Sequence, residues 1–328
     1  MANPPFSILV YVGLDLVGDG LMKLPFLRAL RWAYPDAHVT WLAGQGKTVY
    51  AGVLAPLVAG LVDDVIEDAR IGIRWWELLL PRPLKGRRFD LVIDTQRRVM
   101  TTLILRRIRH GCFISGAADW HLSDLRPAKG TPRPAAMIRQ MLALLEIAHG
   151  QAARPDAPLR LDPAILAEAE RRLPDGPLYV GLAPGAGGKH KCWPLENYIA
   201  LAMRQVKAGR VPVIFLGPGE RDWEDEIRDA VPGALLPLDR GASPVLTIAL
   251  ATRLAVAVAN DSGAGHMLAA AEVPQISLFG PTSPEKFAPV TPNLTILRAQ
   301  SFGGEGMESI PLIAVADAID AQLHRSPA

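Results

Sequence analysis

LYVGLAPGAGGKHKCWPLENYIALAMRQVKAGRVPVIFLGPGE occupies residues 178–220. An apolar run at 178–182 predicts a buried strand, 195–207 predicts an amphipathic helix, and 211–216 (VPVIFL) predicts a second strand. Strand, helix and strand in that order form a βαβ unit, and runs this apolar belong to parallel sheets covered by helices on both faces. The rhythm continues outward, with a helix at 221–230, strands at 254–259 and 275–279, and a terminal amphipathic helix at 313–323. It is also present upstream. Residues 6–12 (FSILVYV), 38–43 (HVTWLA) and 89–94 (FDLVID) read as strands; 21–34, the basic stretch 100–109 and 137–148 read as helices. Residues 150–162 (GQAARPDAPLRLD) lack periodicity and read as a linker. The expected class is α/β: two Rossmann-like domains, 1–155 and 156–328, with parallel sheets facing a central cleft. The terminal helix is expected to pack back toward the first domain.

Composition narrows the function classes. At 328 residues, with 49% hydrophobic and 21% charged residues, the chain can build two cores. No apolar run approaches the roughly 20 residues that a bilayer span requires. The amino terminus lacks a basic start followed by a long apolar stretch, so no signal peptide is expected. Cys112 and Cys192 stand in separate halves without metal-ligand spacing, which fits a reducing, cytoplasmic setting. Charge is uneven: residues 1–150 hold 19 Lys+Arg against 13 Asp+Glu, and residues 70–109 hold 11 against 3. Such clustering suggests an anionic partner. No aromatic-interleaved RNA motif or helix-turn-helix spacing accompanies it, so nucleic acid is not expected.

Ligands of doubly wound sheets bind where strands end and helices begin, and four such places carry chemistry. At Gly18-Asp19-Gly20, Asp19 reads either as a helix N-cap or as a carboxylate that can take a proton from a hydroxyl, with Asp15 as a rival. Residues 184–194 include Gly185, Ala186, Gly187 and Lys191, and glycine-rich backbone at a helix start offers N–H donors to phosphate. A flexible connection with solvated lysines is the other reading, and His190 is a bystander. Glu220 follows the strand 211–216 and suits ribose hydroxyls or a helix dipole equally. Residues 260–282 (NDSGAGHMLAAAEVPQISLFGPT) place Asp261, Ser262, Gly263 and His266 at a helix mouth. A Ser-His-Asp triad is a poor reading there, since Ser262 lacks the GxSxG elbow.

These stretches resemble glycosyltransferase family 9, the heptosyltransferases that extend the inner core of lipopolysaccharide. The resemblance covers nearly the whole chain. Residues 260–282 are similar to the family's D-[ST]-G-x-x-H-x-A-A…P…FGPT signature, and PGAGGKHKCWPLENY (184–198) is similar to its PGA…K-x-W-P loop. GDGLMKLPFLRALRWAYPDAHVTWLA (18–43) and FDLVIDTQ (89–96) complete four ordered matches. The resemblance implies a GT-B fold with an acceptor-binding first domain and a donor-binding second domain. It implies inverting, metal-independent sugar transfer with no cofactor, from a nucleotide-sugar donor, ADP-heptose in the best-known members. Asp19 matches the catalytic aspartate. Gly185, Ala186, Gly187, Lys191, Glu220, Asp261, Ser262, Gly263 and His266 fall on the donor side; Gly18, Gln96, Arg97 and Arg98 fall on the acceptor side. The implied acceptor is an anionic lipid-linked glycan, met at peripheral contact with the cytoplasmic face of a membrane. Arg97-Arg98 stand where many members have Gly-Leu, and Lys23 is unusual within its segment, so the acceptor is expected to differ. The competing readings are a GT-B nucleotide-sugar epimerase or hydrolase, which would turn over donor without acceptor, and a non-catalytic nucleotide-sugar-binding scaffold.

Overall fold

A computed structural model describes residues 6–15, 17–157, 159–239 and 243–325. The chain divides into two compact units, Met1–Pro158 and Leu159–Ala328. The first unit runs β1 (Ser7–Val12), α1 (Val17–Ala33), β2 (His38–Ala43), α2 (Ala55–Val58), β3 (Asp64–Ile66), β4 (Arg88–Asp94), α3 (Val99–Leu105), β5 (Arg109–Ser115) and α4 (Met137–His149). The second unit opens with α5 (Pro163–Arg172), β6 (Tyr179–Ala183), α6 (Leu195–Lys207), β7 (Val211–Ile214), α7 (Glu224–Ala230) and α8 (Pro244–Ala251). It continues with β8 (Val256–Asn260), α9 (Gly263–Ala270), β9 (Gln275–Phe279), α10 (Pro284–Phe287), β10 (Leu294–Arg298) and α11 (Leu312–Arg325).

Each unit is built on a five-stranded sheet, ordered β3-β2-β1-β4-β5 in the first and β10-β9-β8-β6-β7 in the second. All strand pairs are parallel, so each sheet buries both faces under helices. In β8, Val256 and Val258 point into one core layer with Trp193, Leu201 and Ile319, while Ala257 and Ala259 point into the other with Leu250 and Leu268. The small residues on that second face let α8 and α9 lie close. The α11 helix packs on β8, β9 and α6 within the second unit, burying Val315, Ala316 and Ile319. Among the described residues no helix is long and apolar enough to cross a membrane.

Several boundaries differ from the sequence reading. The first helix starts at Val17, not near residue 21, so Gly18, Asp19 and Gly20 form its first turn. Tertiary contact overrides the poor helix propensity of glycine here. The Tyr50 hydroxyl donates to the Gly20 carbonyl at 2.6 Å, and a Cβ on Gly20 would come within 2.6 Å of Val49. The basic helix expected at 100–109 stops at Leu105, because Arg109 begins β5. The short or amphipathic strands β3, β5 and β10 were not foreseen, nor were α5 and α8.

Candidate active site

In the second sheet β6 and β8 are neighbours although the chain visits β7 between them. At such a switch point the loops that follow the two strands diverge and leave a crevice at their carboxyl ends. Asn260, the last residue of β8, is buried and ties the crevice together. Its amide nitrogen donates to the Pro184 carbonyl at 2.7 Å, and its oxygen accepts from the Trp193 N–H and the Tyr198 hydroxyl, both at 3.1 Å. The buried Trp193 indole donates to the Ile310 carbonyl at 2.9 Å. The glycine-rich loop is thereby pinned at both ends.

Between those pins the Lys191 ammonium lies 3.2 Å from the Asp261 carboxylate, with the two side chains 30% and 10% exposed. Ser262 caps α9, its hydroxyl accepting the Gly265 N–H at 3.3 Å. Gly263 is the first residue of α9, and a Cβ there would meet no atom within 4 Å. Gly187 has the same open space. His266 sits one turn into α9, its N–H donating to the Ser262 carbonyl at 3.3 Å. A lysine, a helix start whose first N–H groups have no partner within the helix, and room above both suit a phosphate.

Glu220 comes next to this loop from β7. Its carboxylate accepts the Gly217 N–H at 2.9 Å, and a Cβ on Gly185 would stand 2.4 Å from its carboxyl carbon. Gly185 is therefore small because Glu220 lies over it, a reason the sequence did not disclose. Burial pushes the Glu220 carboxyl above its ordinary range. Ala186 is half-buried on the same loop, and His190 is exposed.

The first sheet has its switch point between β1 and β4. A Cβ on Gly13, just after β1, would lie 3.3 Å from the Gln96 amide oxygen, just after β4. Asp94 ends β4 fully buried and accepts from the Thr102 hydroxyl (2.6 Å), the Ser115 hydroxyl (2.8 Å) and the Gln96 N–H (2.9 Å). Burial outweighs these bonds and raises its pKa to about 6. Beside it a cavity of about 260 Å³ is lined by Gln96, Arg97, Trp120, Arg133, Gln140 and Met141, among others. Its wall contains Asp119 and Trp120, which with Ala118 are consecutive non-glycine residues at φ of 48° to 68°. Left-handed backbone of this kind is strained and concentrates at functional sites.

Asp19 and Asp15 separate clearly. Asp15 is buried in an ion pair with Lys23 and also accepts from the Trp41 indole (2.8 Å) and the Thr48 hydroxyl (2.9 Å). That pair accounts for the unusual Lys23. Asp19 is half-buried in the first turn of α1, and its carboxylate makes no hydrogen bond or ion pair with a described residue. Gly18 beside it has open space where a Cβ would be. Arg97 lines the cavity and reaches Gln140 at 3.5 Å, whereas Arg98 stays exposed immediately before α3 and is not part of the lining. The sequence reading missed Asn260, Asp94, Trp120 and Arg133. For the first two, a polar residue closing an apolar strand was a usable signal; the last two lie in a stretch without periodicity.

Comparison with known proteins identifies the family and the fold. Residues 78–305 match the profile of glycosyltransferase family 9 (heptosyltransferase). The chain is 32% identical over 319 residues to lipooligosaccharide heptosyltransferase 2 of Haemophilus influenzae, covering 88% of each chain. It is similar in fold to the glycosyl transferase family 9 protein of Veillonella parvula, with a TM-score of 0.75 and 18% identity over 98% of both chains. It is likewise similar to ADP-heptose lps heptosyltransferase II of E. coli, with a TM-score of 0.69 and 21% identity over 97% of this chain and 99% of that one.

Proposed function

The chain belongs to glycosyltransferase family 9 and is a glycosyltransferase with the GT-B fold; from this premise we propose that it moves heptose from ADP-heptose to the inner core of a lipopolysaccharide-type acceptor, by inverting transfer without a metal. The observation that carries the donor half is the Lys191–Asp261 pair at 3.2 Å, set beside the open start of α9 at the switch point of the second sheet. Lys191 and the first-turn N–H groups of α9 meet the diphosphate, Gly187 and Gly263 leave it room, and Glu220 takes the ribose hydroxyls. The names of the Haemophilus and E. coli relatives support heptose and ADP as the donor's parts.

The first unit supplies the base and the acceptor site. Asp19 takes the proton of the acceptor hydroxyl as its oxygen attacks the anomeric carbon. The bond from that carbon to the β-phosphate oxygen breaks, and its electrons leave with ADP. A general base contributes about 10²–10⁴ in rate, and donors preorganised on the departing charge supply the remainder. The cavity beside Asp94 receives the acceptor, with Gln96, Arg97 and Arg133 for its anionic and hydroxyl groups and the Trp120 ring for a sugar face.

The test is transfer from ADP-heptose to a heptose-deficient lipopolysaccharide, followed by product mass, anomeric configuration and ADP release. Acceptor-dependent ADP release with one heptose added in the inverted configuration is the expected result. Equal ADP release without acceptor would make the protein a hydrolase, and transfer from UDP- or GDP-sugars alone would remove ADP-heptose as donor.

A further inference from the structure

Residues 75–80 (WWELLL) form a ridge on the first unit that is built the wrong way round for a free surface. Their polar groups turn inward. The buried Glu77 carboxylate accepts the N–H groups of Gly72 (2.7 Å), Ile73 (2.8 Å) and Arg74 (2.6 Å). The Arg107 guanidinium donates to the carbonyls of Glu77 and Leu80. The apolar side chains turn outward: Trp75 is 61% exposed and Leu79 78%, and Trp76, Leu78 and Leu80 are exposed as well. The segment is thus held in place while its apolar surface meets water, and contiguous exposed apolar surface of this kind marks an interaction site.

A basic groove adjoins the ridge through Arg107. Arg82, Arg88, Arg106, Arg109 and His110 line it with Arg107. Arg106 is paired with Asp124 at 2.9 Å, but Arg82, Arg88 and Arg109 form no ion pair or side-chain hydrogen bond with a described residue. The α3 helix packs against the ridge and adds Val99 and Leu103, both exposed and four residues apart, on one helix face. Arg97 and Arg98 precede that helix.

We infer that this ridge and groove are the surface on which the protein rests on an anionic lipid bilayer. Trp75, Trp76 and Leu79 enter the boundary between headgroups and acyl chains, and Arg82, Arg88 and Arg109 face lipid phosphates. Tryptophan favours that boundary because its ring is apolar with one polar edge. Arginines near an anionic leaflet add attraction that salt screens. Single-stranded nucleic acid would use the tryptophans and arginines, but the three leucines give it nothing to stack on. The inference names a partner for the glycosyltransferase reading, since a lipid-linked acceptor is presented at such a surface. It stands on the ridge and groove themselves, and its test needs neither donor nor acceptor.

The test is flotation of the full chain with phosphatidylcholine vesicles, with and without phosphatidylglycerol, at low and high salt. The protein is expected to float with the anionic vesicles and to be released by salt. Arg82→Gln/Arg88→Gln/Arg109→Gln should lower partitioning about 100-fold, at about fivefold per arginine near the surface. Trp75→Ser/Trp76→Ser should lower it about tenfold, even at low salt, as the buried apolar area is lost. All five substituted residues are exposed and outside the proposed catalytic and binding groups, so melting temperature and ADP affinity should match the unsubstituted protein. Absence of flotation, equal flotation with neutral vesicles, or undiminished flotation of both variants would overturn the inference. So would capture of an RNA oligonucleotide or self-association through the ridge in place of vesicle binding. Failed flotation with intact heptosyl transfer to a soluble acceptor would overturn the docking surface alone.

Discussion

Asp15 accepts from Trp41 and Thr48 on one oxygen and pairs with Lys23 through the other, so it has none left for an incoming hydroxyl. Asp19 has both oxygens unengaged by described residues. The two aspartates should fail differently. Asp19→Asn is expected to lower the transfer rate about 10²–10⁴-fold with ADP affinity and melting temperature retained. Asp15→Asn leaves a buried ammonium without its anion, which costs about 3–5 kcal/mol in stability, measured by urea unfolding. A normal rate in Asp19→Asn would take Asp19 out of the mechanism. At Lys191 the charge itself is the argument. Lys191→Ala should weaken ADP binding by about 1.5–3 kcal/mol, the worth of a hydrogen bond to a charged group, and should leave adenosine binding nearly unchanged. Calorimetric titration with both ligands decides, and equal losses would show that the loop does not hold phosphate.

The α9 helix shows how an element positions a site. Ser262 caps it, Leu268 packs it against the sheet, and Gly263 leaves its first turn uncovered. Gly263→Val adds a side chain where a Cβ meets nothing, so the fold should survive within about 1 kcal/mol, the helix-propensity scale of such a change. ADP, which needs that space, should bind at least tenfold more weakly. A folded Gly263→Val protein that binds ADP normally would reduce this segment to a structural turn. Elements of this kind were legible in the sequence, because apolar strands followed by small and polar residues leave a pattern. The strands at 38–43 and 275–279 and the helix at 195–207 match the structure residue for residue. The short edge strand β3 and the half-buried edge strand β10 were not legible, since neither carries a buried run. Nor was the start of α1, where contact with Tyr50 and Val49 overrides two glycines. On the donor side, two loops that each read as a motif in the sequence converge because β6 and β8 are neighbours. The cavity in the first unit draws on Gln96, Trp120 and Arg133, whose meeting depends on tertiary structure alone.

At the scale of the whole molecule, the two units carry different electrostatic burdens. The first has the excess of basic residues, yet at its switch point it buries an acid. Asp94 lies beneath the Gln96 turn, and burial raises its pKa from 3.8 to about 6. Between those values the folded protein holds a proton that the unfolded chain has released, so folding takes up a proton there. Stability from this group is therefore gained as pH falls from about 6 toward 4 and lost as pH rises through the same window. Above pH 6 the buried carboxylate is charged and its cost is constant, roughly 3 kcal/mol for a shift of this size. Urea unfolding at pH 7 and pH 5 reads the slope. Asp94→Asn cannot titrate, and groups common to both proteins cancel in the difference. The unsubstituted protein should gain about 1 kcal/mol more than Asp94→Asn between pH 7 and pH 5. Identical slopes would mean that Asp94 is charged throughout, held by Thr102, Ser115 and the Gln96 N–H. The turn bearing Gln96 would then rest on a fixed anion, and acceptor binding in the adjoining cavity would lose any dependence on this carboxyl between pH 5 and pH 7.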